Sequence, residues 1–211
     1  MLTLYGVYRS RASRPLWLLA EAGMDYTHVP VIQGYRLPDA GAVDAPLNTA
    51  SPDFLAVNPM GQIPTLTDGD LLLTESMAIT LYLAECAGPS LGPKNLAERA
   101  QMTNWALFAA TSIEAPALSL LQASPEDEAA ITDATNRLRR PLARLEAHLT
   151  RHDWLLDRFS AADICVGECL RYAQGSKALT AEFPNSFAWL ARCQARPGFQ
   201  AMWQKRSAEP A

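Results

Sequence analysis

In the stretch YRSRASRPL (residues 8–16), two hydroxyls have the type and setting for chemistry. Ser10 and Ser13 lie three apart at the mouth of an expected helix, among Arg9, Arg11 and Arg14. A hydroxyl there can cap the helix by accepting from a backbone N–H, or it can donate to an anion held nearby. Tyr5, at the end of the preceding strand, offers a third hydroxyl. Further along, Glu75-Ser76 stands where a strand gives way to a helix. The free N–H groups and positive dipole end of a helix start draw a carboxylate; Ser76 adds a donor, and Glu75 can accept from an ammonium. Between these, Asn58-Pro59-Met60-Gly61 is turn chemistry. Ile63-Pro64 follows as an X-Pro bond of the kind found cis at turns. A cis bond would turn the Ile63 backbone outward, leaving its N–H and C=O for an extended, peptide-like partner.

These residues need elements to hold them. Leu2 and Leu4 alternate with Thr3 and Tyr5, which predicts a short strand before Gly6. Helical spacing then starts at Ser13, which is read as the N-cap, and stops at Gly23. YTHVPV (26–31) predicts a second strand whose Pro30 suits a sheet edge or an early end to the pairing. Residues 34–52 lack a period and predict a long loop, functional or mobile, with Arg36 as its single basic residue. PDFLAVN (52–58) predicts a helical turn, IPTLTDGDLLL (63–73) a hairpin around Asp68-Gly69, and ESMAITLYLAECAG (75–88) a helix closed by Gly88. The first 88 residues thus read β-α-β-loop-β-β-α, GPSLGP (88–93) reads as a linker, and everything beyond is helical. FSAADI (159–164) predicts a capping box between Ser160 and Asp163, with Phe159 and Ile164 as its staple; its role is structural.

Composition narrows the class of partner. The chain has 211 residues and a net charge of −4, without the basic face that nucleic acid requires. Residues 1–88 hold 4 of the 18 basic and 9 of the 22 acidic side chains, so the two halves differ in charge. No apolar run approaches the roughly 18 residues of a membrane span, and MLTLYGVYRSR lacks the features of a secretory signal. The four cysteines, Cys86, Cys165, Cys169 and Cys193, form no CxxC pair and sit near no histidine, against a zinc site or disulfide framework and in keeping with a reducing cytoplasm. Cys165 and Cys169 are read as small core hydrophobes, and no cysteine precedes position 86.

At VNPMGQIPTL and TESMAI, and in the order of strand, turn, linker, FSAADI box and terminal ARPGFQAMW, the chain resembles the cytosolic glutathione transferase superfamily over nearly its whole length, as a bacterial, serine-type-like member. The resemblance implies an α+β fold: a thioredoxin-like βαβ-ββα domain at 1–87 that binds glutathione, then an all-helical bundle at 94–211 that forms the second-substrate pocket. It implies that the Ile63 backbone, next to Pro64, pairs with the cysteinyl part of glutathione, and that Glu75 and Ser76 hold the ammonium and carboxylate of the γ-glutamyl group. Gln62, where relatives often carry lysine, would reach the glycyl end. Ser10 matches the serine-type members as the hydroxyl at the sulfur, with Tyr5 and Ser13 as alternatives. Arg11 and Arg14 are read as solvated surface charge, with the alternative that they raise the local potential and help the thiolate. Tyr8, Trp105 and Phe108 are candidates for the second-substrate pocket. Glu114 lies about where one bacterial class has a histidine, and that class's cysteine is also missing. The implied activity joins the glutathione thiolate to a small hydrophobic electrophile in a cytoplasmic homodimer, with glutathione as co-substrate and no metal. A non-catalytic carrier of glutathione or a hydrophobic ligand is the alternative. A thiol-disulfide reductase would need a cysteine near position 10.

Overall fold

The structure is a computed structural model that describes residues 1–210. The chain divides into two compact units, one of residues 1–83 with the segment from Pro197 onward, the other of residues 84–196.

In the first unit, β1 (Leu2–Tyr5), β2 (Thr27–Val29), β3 (Thr65–Asp68) and β4 (Leu71–Leu73) make one sheet in the order β2-β1-β3-β4. β1 runs parallel to β2 and antiparallel to β3, which pairs antiparallel with β4. The inner strands carry the core: Leu4 of β1 stands opposite Leu66 of β3, and both are fully buried. β2 is an edge strand and ends at Val29, directly before Pro30, which has no N–H to continue the pairing. Gly69 turns the β3–β4 hairpin at φ +57°, a left-handed conformation that glycine adopts without strain.

Helix α1 (Ser13–Ala22) ends at Gly23, whose N–H donates to Leu19 O. Its residues 13–19 are all buried, so it needs cover beyond what one sheet face supplies. The final helix provides it, Phe199 standing edge-on to Trp17 at 4.9 Å between ring centres. Gly198 allows the close approach, since a Cβ there would fall 2.5 Å from Glu21 Cγ. Residues from Pro197 therefore belong with the first unit, whereas the sequence reading placed all of 94–211 in the helical domain. The consecutive Leu16, Trp17, Leu18, Leu19 and Ala20 signal a helix apolar on more than one side, but not which distant segment covers it.

The stretch 34–52 is organised around buried Asn48. Its Nδ2–H groups donate to Ala40 O and Pro46 O, its Oδ1 accepts from Ala50 N, and Ile32 exchanges backbone hydrogen bonds with Leu47 and Thr49. Helix α2 (Pro52–Val57) follows, and α3 (Ser76–Ala87) runs across the division between the units.

The second unit is helical: α4 (Leu96–Phe108), a π-helical turn at Ala109–Ile113, α5 (Glu114–Gln122), α6 (Glu128–Leu149), α7 (Ala161–Leu170), α8 (Lys177–Glu182) and α9 (Pro184–Gln194). The last helix, α10, spans Pro197–Ala208 and lies in the first unit. Every residue of α7 is buried, the small side chains of Cys165 and Cys169 and the carboxylates of Asp163 and Glu168 among them. Its capping box has formed, with Asp163 Oδ2 accepting from the N–H and the hydroxyl of Ser160.

Candidate active site

The loop between β1 and α1 is the centre of the candidate site. Gly6 (φ +141°) leaves the strand with its backbone against other parts of the unit: a Cβ there would lie 3.0 Å from Ala12 Cβ, 3.5 Å from Ile63 Cβ and 3.7 Å from Pro64 Cα. This contact brings the 6–12 loop to the Ile63-Pro64 turn, whose peptide bond is cis. Asn58 fixes that turn from inside. Its Nδ2 donates to Gln62 O (2.8 Å) and Thr65 Oγ1 (3.0 Å), and its Oδ1 accepts from Met60 N. No hydrogen bond from the described residues reaches the N–H or C=O of Ile63, and the Gln62 side chain is exposed.

Ser10 is part-buried. Its hydroxyl donates to Val7 O (2.6 Å), and its oxygen accepts from Ala12 N (3.0 Å). Ser13 is not the N-cap that its position predicts. Ala12 takes that place without a side-chain cap, and Ser13 is the first helical residue, wholly buried. The Ser13 N–H instead donates to Ser10 O, so the turn that starts the helix closes on Ser10. Tyr5 packs its ring 6.1 Å from that of Phe54.

Arg14 corrects the reading of a solvated surface charge. It is 2% exposed, and its Nη1–H donates to Ser76 Oγ at 2.8 Å. One buried guanidinium thus joins the start of α1 to the start of α3. Ser76, accepting from Arg14, keeps its own O–H for another acceptor. Exposed Glu75 precedes it. The signal available in sequence was Arg14's place one turn from Trp17 and Leu18 on a helix with little polar surface.

Tyr8 is buried in the first unit, edge-on to His28 at 5.3 Å and hydrogen-bonded to the hydroxyl of Tyr26. Burial raises both phenols above their ordinary range, so each stays neutral. Trp105 and Phe108 belong to the second unit, where they meet edge-on at 5.5 Å under the guanidinium of Arg144. Trp105 also lines a cavity of about 460 Å³ with Gln101, Asn104, His148 and His152. Glu114 lies in the same unit, where its Oε2 accepts from Cys169 Sγ at 3.8 Å.

The N-terminal domain model of glutathione S-transferases matches residues 8–86, and the C-terminal domain model matches 128–192. Glutathione S-transferase F10 of Arabidopsis thaliana is 30% identical over 99% of this chain and 97% of its own length. Glutathione S-transferase 1 of Zea mays is 33% identical over 93% of each. Among solved structures, glutathione transferase F7 from Populus trichocarpa is similar at a TM-score of 0.79 and 31% identity, covering 98% of this chain and 99% of that one.

Proposed function

We propose, for a chain that belongs to the glutathione S-transferase family, that Ser10 is the hydroxyl that meets the sulfur of glutathione. The chain is a glutathione transferase with glutathione as its co-substrate. In the reaction the glutathione thiol gives up its proton, a sulfur–carbon bond forms to the electrophile, and a leaving group departs or the electrophile's own double bond takes the electrons. At neutral pH a free thiol of pKa about 8.5 is only a few per cent ionised. A hydrogen bond to the thiolate, of roughly 1.5–3 kcal/mol, lowers that pKa by about one or two units at about 1.4 kcal/mol per unit.

The observation that carries the reading is the meeting of the 6–12 loop with Ile63-Pro64 while Arg14 ties Ser76 to the same helix start. Ser13 has no access to a ligand, being wholly buried. Ser10 has a single proton, now donated to Val7 O. Turning it to the sulfur costs that bond, whereas the bond from Ala12 N can persist and hold the oxygen in place. In this reading Ile63, beside Pro64, pairs with the cysteinyl backbone. Ser76 donates to the γ-glutamyl carboxylate in front of the Arg14 charge, Glu75 accepts from its ammonium, and Gln62 faces the glycyl end. Residues 1–87 thus form the glutathione-binding domain. The helical region after residue 94 supplies the pocket for a small hydrophobic electrophile, with Trp105 and Phe108 as candidate lining, whereas Tyr8 is a buried member of the 6–12 loop in the first unit.

The test is ultraviolet titration of the bound thiolate together with turnover of chlorodinitrobenzene. Ser10→Ala should raise the pKa of the bound thiol by about one unit and lower kcat near neutral pH, with little change in glutathione affinity. Tyr5→Phe should change neither. A titration unmoved by Ser10→Ala but shifted by Tyr5→Phe assigns the role to the tyrosine. Binding without turnover over a panel of electrophiles would favour a ligand carrier.

We also propose a cytoplasmic homodimer. Four cysteines without a CxxC spacing suit a reducing compartment. Exposed apolar side chains suit an interface: Leu71 and Leu72 on β4, and Leu96 and Leu107 on α4.

A further inference from the structure

All four backbone polar groups of residues 8 and 9 are bound by side chains from outside the loop. The N–H of Tyr8 donates to Glu209 Oε1 (2.7 Å) and the N–H of Arg9 to Glu209 Oε2 (2.8 Å). The carbonyl of Tyr8 accepts from Arg206 Nη1, and that of Arg9 from Gln33 Nε2. Three of these four bonds come from the last turn of α10 and the residue just beyond it. Arg36, the single cation of the 34–52 stretch, donates to Pro210 O (3.0 Å) and so ties that stretch to the same segment. Adjacent N–H groups sharing one carboxylate make a charge-assisted pair, stronger than two neutral bonds.

We propose that Glu209 is a positioning residue for the transferase reaction: its carboxylate fixes the Tyr8-Arg9 backbone and thereby sets where the Ser10 oxygen stands. Ser10 is the next residue in the chain, and among the described residues its own hydrogen bonds are local, to Val7, Ala12 and Ser13. With Glu209 removed, the loop keeps its sequence but loses the two bonds that hold its approach to the ligand. A displacement of about 1 Å at a catalytic group can cost up to a hundredfold in rate. The inference rests on Ser10 as the hydroxyl at the sulfur, and on nothing assigned to Glu209 by the family's glutathione contacts.

Glu209→Ala and Glu209→Gln are to be compared with Ser10→Ala and with the Ser10→Ala/Glu209→Ala double variant, each at verified melting temperature. Glu209→Ala should lower kcat near neutral pH by about tenfold, move the bound-thiol titration upward, and leave the KM for glutathione within about twofold. Glu209→Gln, which keeps one acceptor oxygen, should fall between. In the Ser10→Ala background Glu209→Ala should add almost nothing, because both act through one hydroxyl. Equal losses in both backgrounds, or a folded Glu209→Ala with an unmoved titration while Ser10→Ala shifts it, overturns the positioning role and leaves Ser10 standing. An unmoved titration in Ser10→Ala itself overturns the serine assignment instead. Should Glu209→Ala fail to fold, Glu209→Gln decides by the same titration.

Discussion

Arg14 carries a positive charge into the interior of the first unit and ends it on Ser76. A buried guanidinium loses much of its hydration, and its field acts through protein instead of water, so an anion near Ser76 feels it more strongly than it would a surface arginine. Arg14→Met, which keeps volume and removes charge, should weaken glutathione binding by about tenfold, the order of one charge-assisted hydrogen bond. Arg14→Lys keeps the charge without the planar fork and should recover part of that loss. Calorimetric titration with glutathione measures both. Unchanged affinity in a folded Arg14→Met would reduce Arg14 to a packing residue. Ser76 was legible from its place before a helical run, but its partner was not. Sequence spacing shows which residues share a face, not which distant side chain that face meets.

At the scale of the element, α7 depends on its own first turn. Asp163 is fully buried and accepts from Ser160 N, Leu155 N and Trp189 Nε1. Desolvation by burial, only partly offset by these donors, pushes its carboxyl up to about 6. A carboxyl raised in the folded state binds its proton more tightly there than in the unfolded chain. Its contribution is therefore fully present below about pH 4 and is lost as the pH rises towards 6. Asp163→Asn should flatten that part of the stability–pH curve, read as midpoints of urea unfolding across the window. A slope unchanged by the substitution would assign it to other groups. Ser160→Ala should cost on the order of 1 kcal/mol. Asp163→Ala should cost more, because Leu155 N and Trp189 Nε1 are then buried without an acceptor. Both variants should keep kcat once folded. The box was readable from FSAADI because capping is local, within one turn of chain. Trp189 as a third partner was not, since it stands 26 residues away.

For the whole molecule, the proposed assembly has a direct test. Along α4, Leu96, Ala100, Thr103 and Leu107 are exposed at helical spacing and carry no charge. Leu107→Arg together with Leu96→Arg should therefore convert a dimer of about 46 kDa, twice the 23.0 kDa of the chain, into a monomer by light scattering. Persistence of the dimer would move the interface elsewhere.

The sequence by itself determined what depends on near neighbours. It yielded the βαβ-ββα order, the Asp68-Gly69 hairpin, Pro30 at an edge, the α7 cap and the family. Each of these rests on periodicity, turn chemistry or the spacing of short motifs. Tertiary structure decided what depends on distant chain meeting: α10 covering α1, Asn48 ordering the 34–52 stretch, Arg14 reaching Ser76, and Glu209 holding Tyr8 and Arg9 some 200 residues away. It also removed Ser13 from the capping position that the sequence predicts. Ser13 is sealed in the core, while the Ser10 oxygen takes the Ala12 N–H at the head of the helix. Local pattern could place both at the mouth of α1; only the tertiary packing decides that Ser13 is wholly buried and Ser10 half-buried.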